Sequence, residues 1–361
     1  MSRSALRPAT APHTNKLPTE CPYCGSHVIT RKGIRKKKLE IVQLWRCAAC
    51  KRTFTPGPAA LRNKTYPIRI VLQALTLYNL GYSLTETAKR FKSKTGRTIS
   101  PTTIAAWLGA HKDHTTFRRL RAEATTIYPP AQTIRTIKLY HRQIYAFAYH
   151  RSKLTLLYRN AQHRRFTPLA RFLESIPTLC PHDLFRNDGD PKARASQAHP
   201  AFADITNVIV NRKENVATST AALIIPTVGN NKLRHETLQN FMLANDSTTL
   251  AVEIPIWLTE EEITALENKY HIELAPRVGD NPRSITGHID FLQVRNDAVH
   301  ILDYKPDAGT NKPIAQLAIY ALALTIRVPG LKLFDIKCAW FNENEYNEFF
   351  PRTLLARSSA D

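Results

Sequence analysis

Two short segments near the C-terminal end of the chain carry residues that could do metal-assisted chemistry. Asp290 lies in ITGHIDFLQV, and Asp303 and Lys305 lie in VHILDYKP, two apolar, β-branched segments that predict a hairpin. Side chains two residues apart point to one face of a strand, so Asp303 and Lys305 should lie together, with Asp290 facing them. Carboxylates are ligands for Mg²⁺ or Mn²⁺, and a neighbouring lysine can position water and stabilise charge on phosphorus. The set predicts metal-dependent phosphodiester hydrolysis.

A helix is predicted directly after this hairpin. Its sequence is IAQLAIYALAL, in which Gln316 and Tyr320 are four residues apart and therefore share one face. Both side chains could reach the metal site or a DNA backbone from there. A lone Asp-x-Lys on a strand is more often a surface ion pair than a catalytic group. The nuclease hypothesis therefore depends on the order strand, strand, helix.

In that order, the Gly-x-x-Asp strand that begins at Gly287, the Asp-x-Lys strand and the Gln-x-x-x-Tyr helix resemble the RecB-type branch of the PD-(D/E)XK nuclease superfamily. The resemblance implies a restriction-endonuclease-like α/β core with a mixed sheet over residues 200–350. It further implies a deoxyribonuclease that uses Mg²⁺ or Mn²⁺, in which Gln316 and Tyr320 orient the site or hold the DNA backbone.

The same resemblance implies that an earlier helix supplies a histidine to the metal. The segment KLRHETLQNFML offers His235, which would join Asp290 and Asp303 as a ligand, although an ordinary buried or surface histidine is the alternative. Two further acidic residues, Glu236 and Glu253, could contribute to the site. For Glu253, in TTLAVEIPIWL, the alternative is a charged residue on an exposed strand.

Near the N-terminus, two Cys-x-x-Cys pairs form a second pattern with specific chemistry. Cys21 and Cys24 are separated by 22 residues from Cys47 and Cys50. Four thiolates at this spacing can close tetrahedrally around Zn²⁺, and a segment this short cannot bury enough apolar surface to fold alone. The pattern predicts a zinc ribbon over residues 21–58 with a structural ion, and disulfides are the alternative.

The remaining cysteines, Cys180 and Cys338, are isolated in sequence and are interpreted as core or surface thiols. Some RecB-type nucleases hold their domain together with a four-cysteine iron–sulfur cluster. Two cysteines cannot form such a cluster, so no iron–sulfur cluster is expected.

Three predicted helices follow the cysteine pairs. A capping box at Ser83 and Glu86 begins the second helix, and Ser100 followed by Pro101 begins the third. A zinc ribbon followed by such a unit resembles the N-terminal region of insertion-sequence transposases, and the resemblance covers residues 20–113. It implies a helix-turn-helix that reads the major groove of DNA, whereas a structural three-helix bundle is the alternative. Its candidate base contacts are Thr102, Thr103 and Ala106, and its candidate phosphate contacts are Lys92, Lys94, Arg97 and Lys112.

The net charge of +22 is distributed unevenly along the 361 residues. Residues 1–130 contain 24 Lys and Arg against 5 Asp and Glu, and residues 131–200 contain 12 against 4, whereas residues 201–361 contain 15 against 20. A basic front half favours a polyanion, most simply DNA, as its partner. No membrane span or signal peptide stands out, which predicts a cytoplasmic protein without a membrane partner.

These patterns predict a multidomain α/β chain. The connector is predicted to be helical because Ile137, Tyr140, Ile144 and Phe147 follow a helical spacing. The predicted units are a disordered basic tail (1–20), the zinc ribbon (21–58), the helix-turn-helix (64–113), the helical connector (114–199), the nuclease domain (200–350) and a frayed tail (351–361).

The resulting hypothesis is a DNA nuclease whose N-terminal half holds its substrate, in a mobile element or in genome defence. Two alternatives stay open. One is a sequence-specific DNA-binding regulator that keeps an inactive nuclease fold, and the other is a transposase that transfers strands. Assembly into a homo-oligomer is also left open.

Overall fold

The computed structural model describes residues 18–36, 41–55, 66–91, 98–186, 193–198, 208–228, 231–274, 283–310 and 312–355. Within these residues the protein is a mixed α/β structure with a small sheet and a large one. The cysteine pairs flank the small sheet, and the acidic residues singled out above lie on or next to the large one.

The small sheet is an antiparallel ribbon that the two cysteine pairs hold at one end. Its strands run in the order β1 (Ile29–Lys36), β2 (Ile41–Cys47) and β3 (Thr53–Phe54). Trp45 and Phe54 are buried against Cys21 and Cys47 in a core of only a few side chains. A core of this size cannot hold a fold by apolar burial alone.

Three helices follow, as the capping signals predicted. Ser83 accepts the N–H of Glu86 while the Glu86 carboxylate accepts the N–H of Ser83, which completes the capping box. Ser100 caps the third helix with Pro101 at its first position. The helices are α1 (Ile68–Leu80), α2 (Leu84–Arg90) and α3 (Pro101–Ala110).

The large sheet contains nine strands among the described residues. Its strands are β4 (Ile134–Tyr140), β5 (Ile144–His150), β6 (Ala193–Arg194), β7 (Asn211–Arg212), β8 (Thr249–Leu258), β9 (Ile285–Arg295), β10 (Ala298–Tyr304), β11 (Ile336–Phe341) and β12 (Tyr346–Phe349). The order is β4-β5-β8-β9-β10-β11-β12-β7, with β6 beside β9. Pairing is antiparallel along this order except between β10 and β11, and β6 also runs parallel to β9. The sheet is therefore mixed.

The helices around this sheet are α4 (Arg121–Ile127), α5 (Arg151–Arg159), α6 (Thr167–Leu179), α7 (Val216–Ile224), α8 (Asn231–Asn245), α9 (Glu260–Tyr270) and α10 (Ile314–Arg327). One hydrophobic cluster joins α6, α9 and α10 to the sheet, and a second joins α1, α7 and α8 to it. The Nδ2 of Asn79 in α1 donates to Oδ1 of Asn245 in α8 over 2.8 Å. The three-helix unit therefore shares a core with the large sheet.

The prediction of a helical connector over residues 114–199 is wrong for its middle part. Residues 134–150 form the β4–β5 hairpin, which joins the sheet through β5 and β8. Tyr140 and Ile144, which the helical stripe placed inside, are 62% and 67% exposed at the hairpin turn. Apolar residues three or four apart fit a helix, but β-branched and aromatic residues around a short polar turn also fit a hairpin. The strand is favoured here because β8 offers an edge with which β5 can pair.

The predicted frayed tail over residues 351–361 is also wrong in its first half. Pro351–Leu355 form a 3-10 turn in which Leu354 is buried. Leu354 packs into the same cluster as α10, so apolar burial fixes the chain to this point. Residues 356–361 of that prediction lie outside the described residues.

Candidate functional site

Three carboxylates lie in a row across three neighbouring strands. On β9 and β10, Leu302 pairs with Phe291, so Asp303 and Asp290 occupy the next opposing positions. Glu253 on β8 falls between the residues that pair with Phe291 and Ile289, and so lies opposite Asp290 from the other side. The row is therefore Glu253, Asp290, Asp303.

Local geometry fixes each member of this row. Asp290 Oδ2 accepts the backbone N–H of Tyr304 over 3.1 Å. Glu253 has a positive φ of 53°, which is unfavourable for a glutamate, and its Oε1 accepts Nε2 of Gln239 over 2.8 Å. Strained backbone held by a specific hydrogen bond is frequent at functional sites. Glu253 is thus half-buried at the site, not a charge on an exposed strand.

Two basic groups border the row. Lys305, one residue beyond β10, places its Nζ 3.0 Å from Asp303 Oδ2. His235 on α8 places its Nδ1 3.4 Å from Asp290 Oδ2, and its ring meets the Tyr304 ring edge-on. The structure therefore brings His235, Asp290, Asp303 and Lys305 together, while Glu236 is exposed on the same helix.

Burial makes the charged forms of the three carboxylates unfavourable. Desolvation and the nearby Glu253 raise the pKa of Asp290 to about 6. Desolvation and Asp290 raise the pKa of Asp303 well above its ordinary value, and desolvation raises that of Glu253 as well. Three acidic groups face the single ammonium of Lys305, whose pKa Asp303 and Asp290 raise although burial opposes its charge. Without a cation the row therefore tends to keep its protons, and a bound cation would favour the ionised carboxylates.

The helix α10 contacts this site through Tyr320 and Gln316. Gln316 Nε2 donates to the Tyr320 hydroxyl over 2.9 Å, and the Tyr320 ring is buried. A Cβ at Gly287 would lie 2.5 Å from Tyr320 Cε1 and 2.8 Å from its hydroxyl oxygen, so only glycine fits under this ring. Because Tyr320 is buried over β9, it is placed to orient the strand that carries Asp290.

The acidic row is more open than a closed metal site. Among the described residues, two groups of three or more His, Cys, Asp or Glu have all their ligand atoms within 4.8 Å of one another. They are the four N-terminal cysteines and the set His141, Cys180 and His182. The trio His235, Asp290 and Asp303 is not such a group.

The four N-terminal cysteines have the geometry of a metal site. Sγ of Cys21 is 3.7 Å from that of Cys50, and Sγ of Cys24 is 3.6 Å from that of Cys47. Sulfurs that share a tetrahedral zinc ion at about 2.3 Å lie about 3.8 Å apart. The cysteines therefore fit a structural zinc ion.

The predicted DNA contacts of the three-helix unit are described only in part. Lys92, Lys94 and Arg97 lie outside the described residues. Thr102 is exposed and Thr103 half-buried at the start of α3, and the hydroxyls of both lie 2.8 Å from Ser100 Oγ. Those hydroxyls are therefore engaged in the helix cap. Two further candidates, Ala106 and Lys112, are exposed on or just after α3.

Sequence reasoning missed two sets of residues at or near the site. Gln239, which holds Glu253, lies four residues after His235 on α8, and this helical spacing was the signal that could have indicated it. The cluster of His141, Cys180 and His182 was also missed, and Cys180 is not an isolated thiol. Its short-range signal is Cys-x-His at residues 180–182.

No family model, curated protein or solved structure matches the chain. Within the described part of the chain, no helix combines the length and apolar character needed to cross a bilayer.

Proposed function

We propose that the protein is a metal-dependent nuclease that hydrolyses phosphodiester bonds in DNA. One observation carries the proposal: Glu253, Asp290 and Asp303 form a buried acidic row with Lys305 beside it. Buried charges of one sign cost stability unless a partner neutralises them, and a single ammonium does not balance three carboxylates. A divalent cation bound at the row would neutralise these carboxylates.

The residues fit Mg²⁺ or Mn²⁺ better than a softer ion. Asp290 and Asp303 offer oxygen atoms, and His235 could add a nitrogen from α8. A bound ion would polarise the phosphate and lower the pKa of a water molecule. Burial lowers the pKa of His235, which keeps the imidazole neutral and able to ligate.

The other residues have roles that follow from their positions. Lys305 can hold the attacking water and stabilise charge on the phosphate, since its ammonium lies at the edge of the row next to Asp303. Glu253 shapes the field around Asp290, and its carboxylate is held by Gln239. Gln316 and Tyr320 orient β9 through the close contact at Gly287.

The N-terminal half would supply the substrate. The strong excess of Lys and Arg over residues 1–130 favours a polyanion, and the zinc-held ribbon and α1–α3 are the units proposed to bind it. Because α1 is joined to α8 through Asn79 and Asn245, DNA bound by this half would be held at a defined position relative to His235. With DNA as substrate, the enzyme would act inside the cell.

The proposal is tested with the full chain on circular and linear DNA, single- and double-stranded, in Mg²⁺ or Mn²⁺. We expect Asp303→Asn and Lys305→Met to lower the cleavage rate by about 100-fold or more. Asp297→Asn, the same change at an exposed hairpin turn, should keep the rate. Equal rates for Asp303→Asn and Asp297→Asn would refute the assignment, and DNA binding without cleavage by the unaltered protein would favour the regulator.

A further inference from the structure

A second cluster of metal-binding side chains lies at the turn of the β4–β5 hairpin. His141 is in that turn, Cys180 ends α6, and His182 begins the 3-10 segment His182–Phe185. His141 Nε2 lies 3.1 Å from His182 Nδ1 and 4.0 Å from Cys180 Sγ. The hairpin turn and the segment directly after α6, which are distant in sequence, thus place two imidazoles and one thiol within 4.8 Å of one another.

These distances match a shared metal ion. Nitrogen atoms at about 2.05 Å from a tetrahedral zinc ion lie about 3.3 Å apart, and nitrogen and sulfur lie about 3.6 Å apart. We propose that His141, Cys180 and His182 form a second site for a transition-metal ion of the zinc class, separate from the four cysteines and from the acidic row. Three protein ligands leave the fourth position to water or to a small ligand.

Neighbouring aromatic rings fix the orientation of His141. His141 Nδ1 lies 2.9 Å from Nε2 of His288, and the His141 ring stacks on Phe185 with centroids 4.0 Å apart. Metal-ligating histidines commonly engage their other nitrogen in a hydrogen bond of this kind, which fixes the ring orientation. His288 in turn stacks on Tyr145 at 3.6 Å. The arrangement sets the direction of His141 Nε2 toward Cys180 and His182.

The buried thiol of Cys180 lies beside the two histidines. Binding of an ion would release its proton, as zinc does to coordinating thiols. A hydrogen-bonded chain of histidines without an ion would also account for the nitrogen distances, and Cys180 would then be only a member of the hydrophobic cluster that includes α6. The metal content of the protein separates these two interpretations.

Ligand chemistry separates this site from the acidic row. Imidazole and thiolate select zinc-class ions, whereas carboxylates select Mg²⁺ or Mn²⁺. The ion would fasten the β4–β5 turn and the end of α6 to β9, because His288 lies on β9 two residues before Asp290. This inference does not depend on the nuclease proposal, because its three ligands lie outside the acidic row.

The metal content of the full chain tests the site directly. Native mass spectrometry and elemental analysis of the unaltered protein should give two zinc ions per chain. Cys24→Ser with Cys47→Ser should leave one ion, and His141→Ala with His182→Ala should also leave one. A matched control, His163→Ala with His271→Ala, should keep two. A variant that combines Cys24→Ser, Cys47→Ser, His141→Ala and His182→Ala should bind no zinc.

Cobalt provides a site-specific readout. In the Cys24→Ser, Cys47→Ser variant, Co²⁺ should give a thiolate-to-metal absorption band that disappears when Cys180→Ala is added. One zinc ion per chain that is lost with Cys24→Ser and Cys47→Ser would overturn the proposal. Two ions that both survive His141→Ala with His182→Ala would overturn it as well, because the second ion would then lie elsewhere. The zinc content of the Cys24→Ser, Cys47→Ser variant is measured with the histidine cluster unchanged. Misfolding of the His141→Ala, His182→Ala variant therefore cannot obscure that result.

Discussion

The N-terminal ribbon and the acidic row bring ligands together in opposite ways. In the ribbon, four cysteines converge around a core of a few side chains, so a bound ion would supply the folding free energy. In the acidic row, a well-packed sheet and helices hold three carboxylates whose charges repel one another. The ribbon would need its metal in order to fold. The acidic row, in contrast, would be held in place by the surrounding fold although its carboxylates repel one another. Removal of metal should therefore unfold the ribbon, whereas the acidic row should stay folded with a smaller loss of stability.

The largest expected effect is loss of the ribbon when its metal is removed. Cys47→Ser, or a zinc chelator, should unfold residues 18–55, because structural zinc contributes on the order of 10 kcal/mol in small domains of this kind. The large sheet should stay folded. Limited proteolysis and two-dimensional NMR would follow both regions, and Cys338→Ser is a control at a cysteine outside the cluster. A ribbon that keeps its dispersed NMR signals without zinc would break the comparison.

A second prediction concerns the contact that positions β9 in the acidic site. Gly287→Ala should destabilise the protein by about 1–3 kcal/mol, because the new methyl group would overlap the buried Tyr320 ring. Denaturant unfolding measures the change. In the Tyr320→Leu background the cost of Gly287→Ala should fall, and a double-mutant cycle gives the coupling. Gly109→Ala, on a helix where nothing lies near the added methyl group, is the control. If the cost of Gly287→Ala were the same in the Tyr320→Leu background, that result would contradict the packing described for α10.

An effect of similar size and opposite sign is expected for the carboxylates. Asp290→Asn should stabilise the protein by about 1–3 kcal/mol at pH 7.5 without added Mg²⁺ or Mn²⁺. Desolvation raises the pKa of Asp290 to about 6 in the folded state, so protonation favours folding. That contribution is fully present below the unfolded pKa of about 4 and is lost as pH rises through about 6. Asparagine mimics the protonated acid and can still accept the N–H of Tyr304.

Urea unfolding between pH 3.5 and 8 checks this window. The advantage of Asp290→Asn over the unaltered protein should vanish below about pH 4 and reach its full value above about pH 6. Asp297→Asn, at the exposed turn between β9 and β10, should show no comparable pH-dependent gain. A loss of stability in Asp290→Asn at pH 7.5 would mean that the row is a structural ion network.

Short-range patterns predicted much of the structure because their physical causes are local. The capping box at Ser83 and Glu86, the β9–β10 hairpin and the clustering of Cys21 with Cys24, Cys47 and Cys50 each depend on a few neighbouring residues. Residues 134–150 were predicted wrongly, since a helical spacing of apolar residues does not show that a strand edge at β8 is free to pair.

Contacts between distant segments could not be predicted in the same way. His141 and His288 are 147 residues apart, and nothing in either local sequence indicates that their nitrogens meet. The contact of Gly287 with Tyr320 is similar: both residues belong to the recognised motifs, but the reason for the glycine is visible only from the ring above it. The carboxylate of Glu253 became a strong candidate for the same reason, because its position opposite Asp290 follows from the pairing of β8 with β9.

The most direct test of the account is Mn²⁺ binding to the acidic row. Calorimetric titration and electron paramagnetic resonance of the full, zinc-loaded chain should show Mn²⁺ bound at the row, with binding lost in Asp290→Asn/Asp303→Asn and kept in Asp297→Asn. Bound Mn²⁺ should also remove the stability advantage of Asp290→Asn at pH 7.5, because the ion neutralises the charge that burial disfavours. Unchanged Mn²⁺ binding in the double variant, or no binding to the unaltered protein, would contradict the claim that the row holds a catalytic cation.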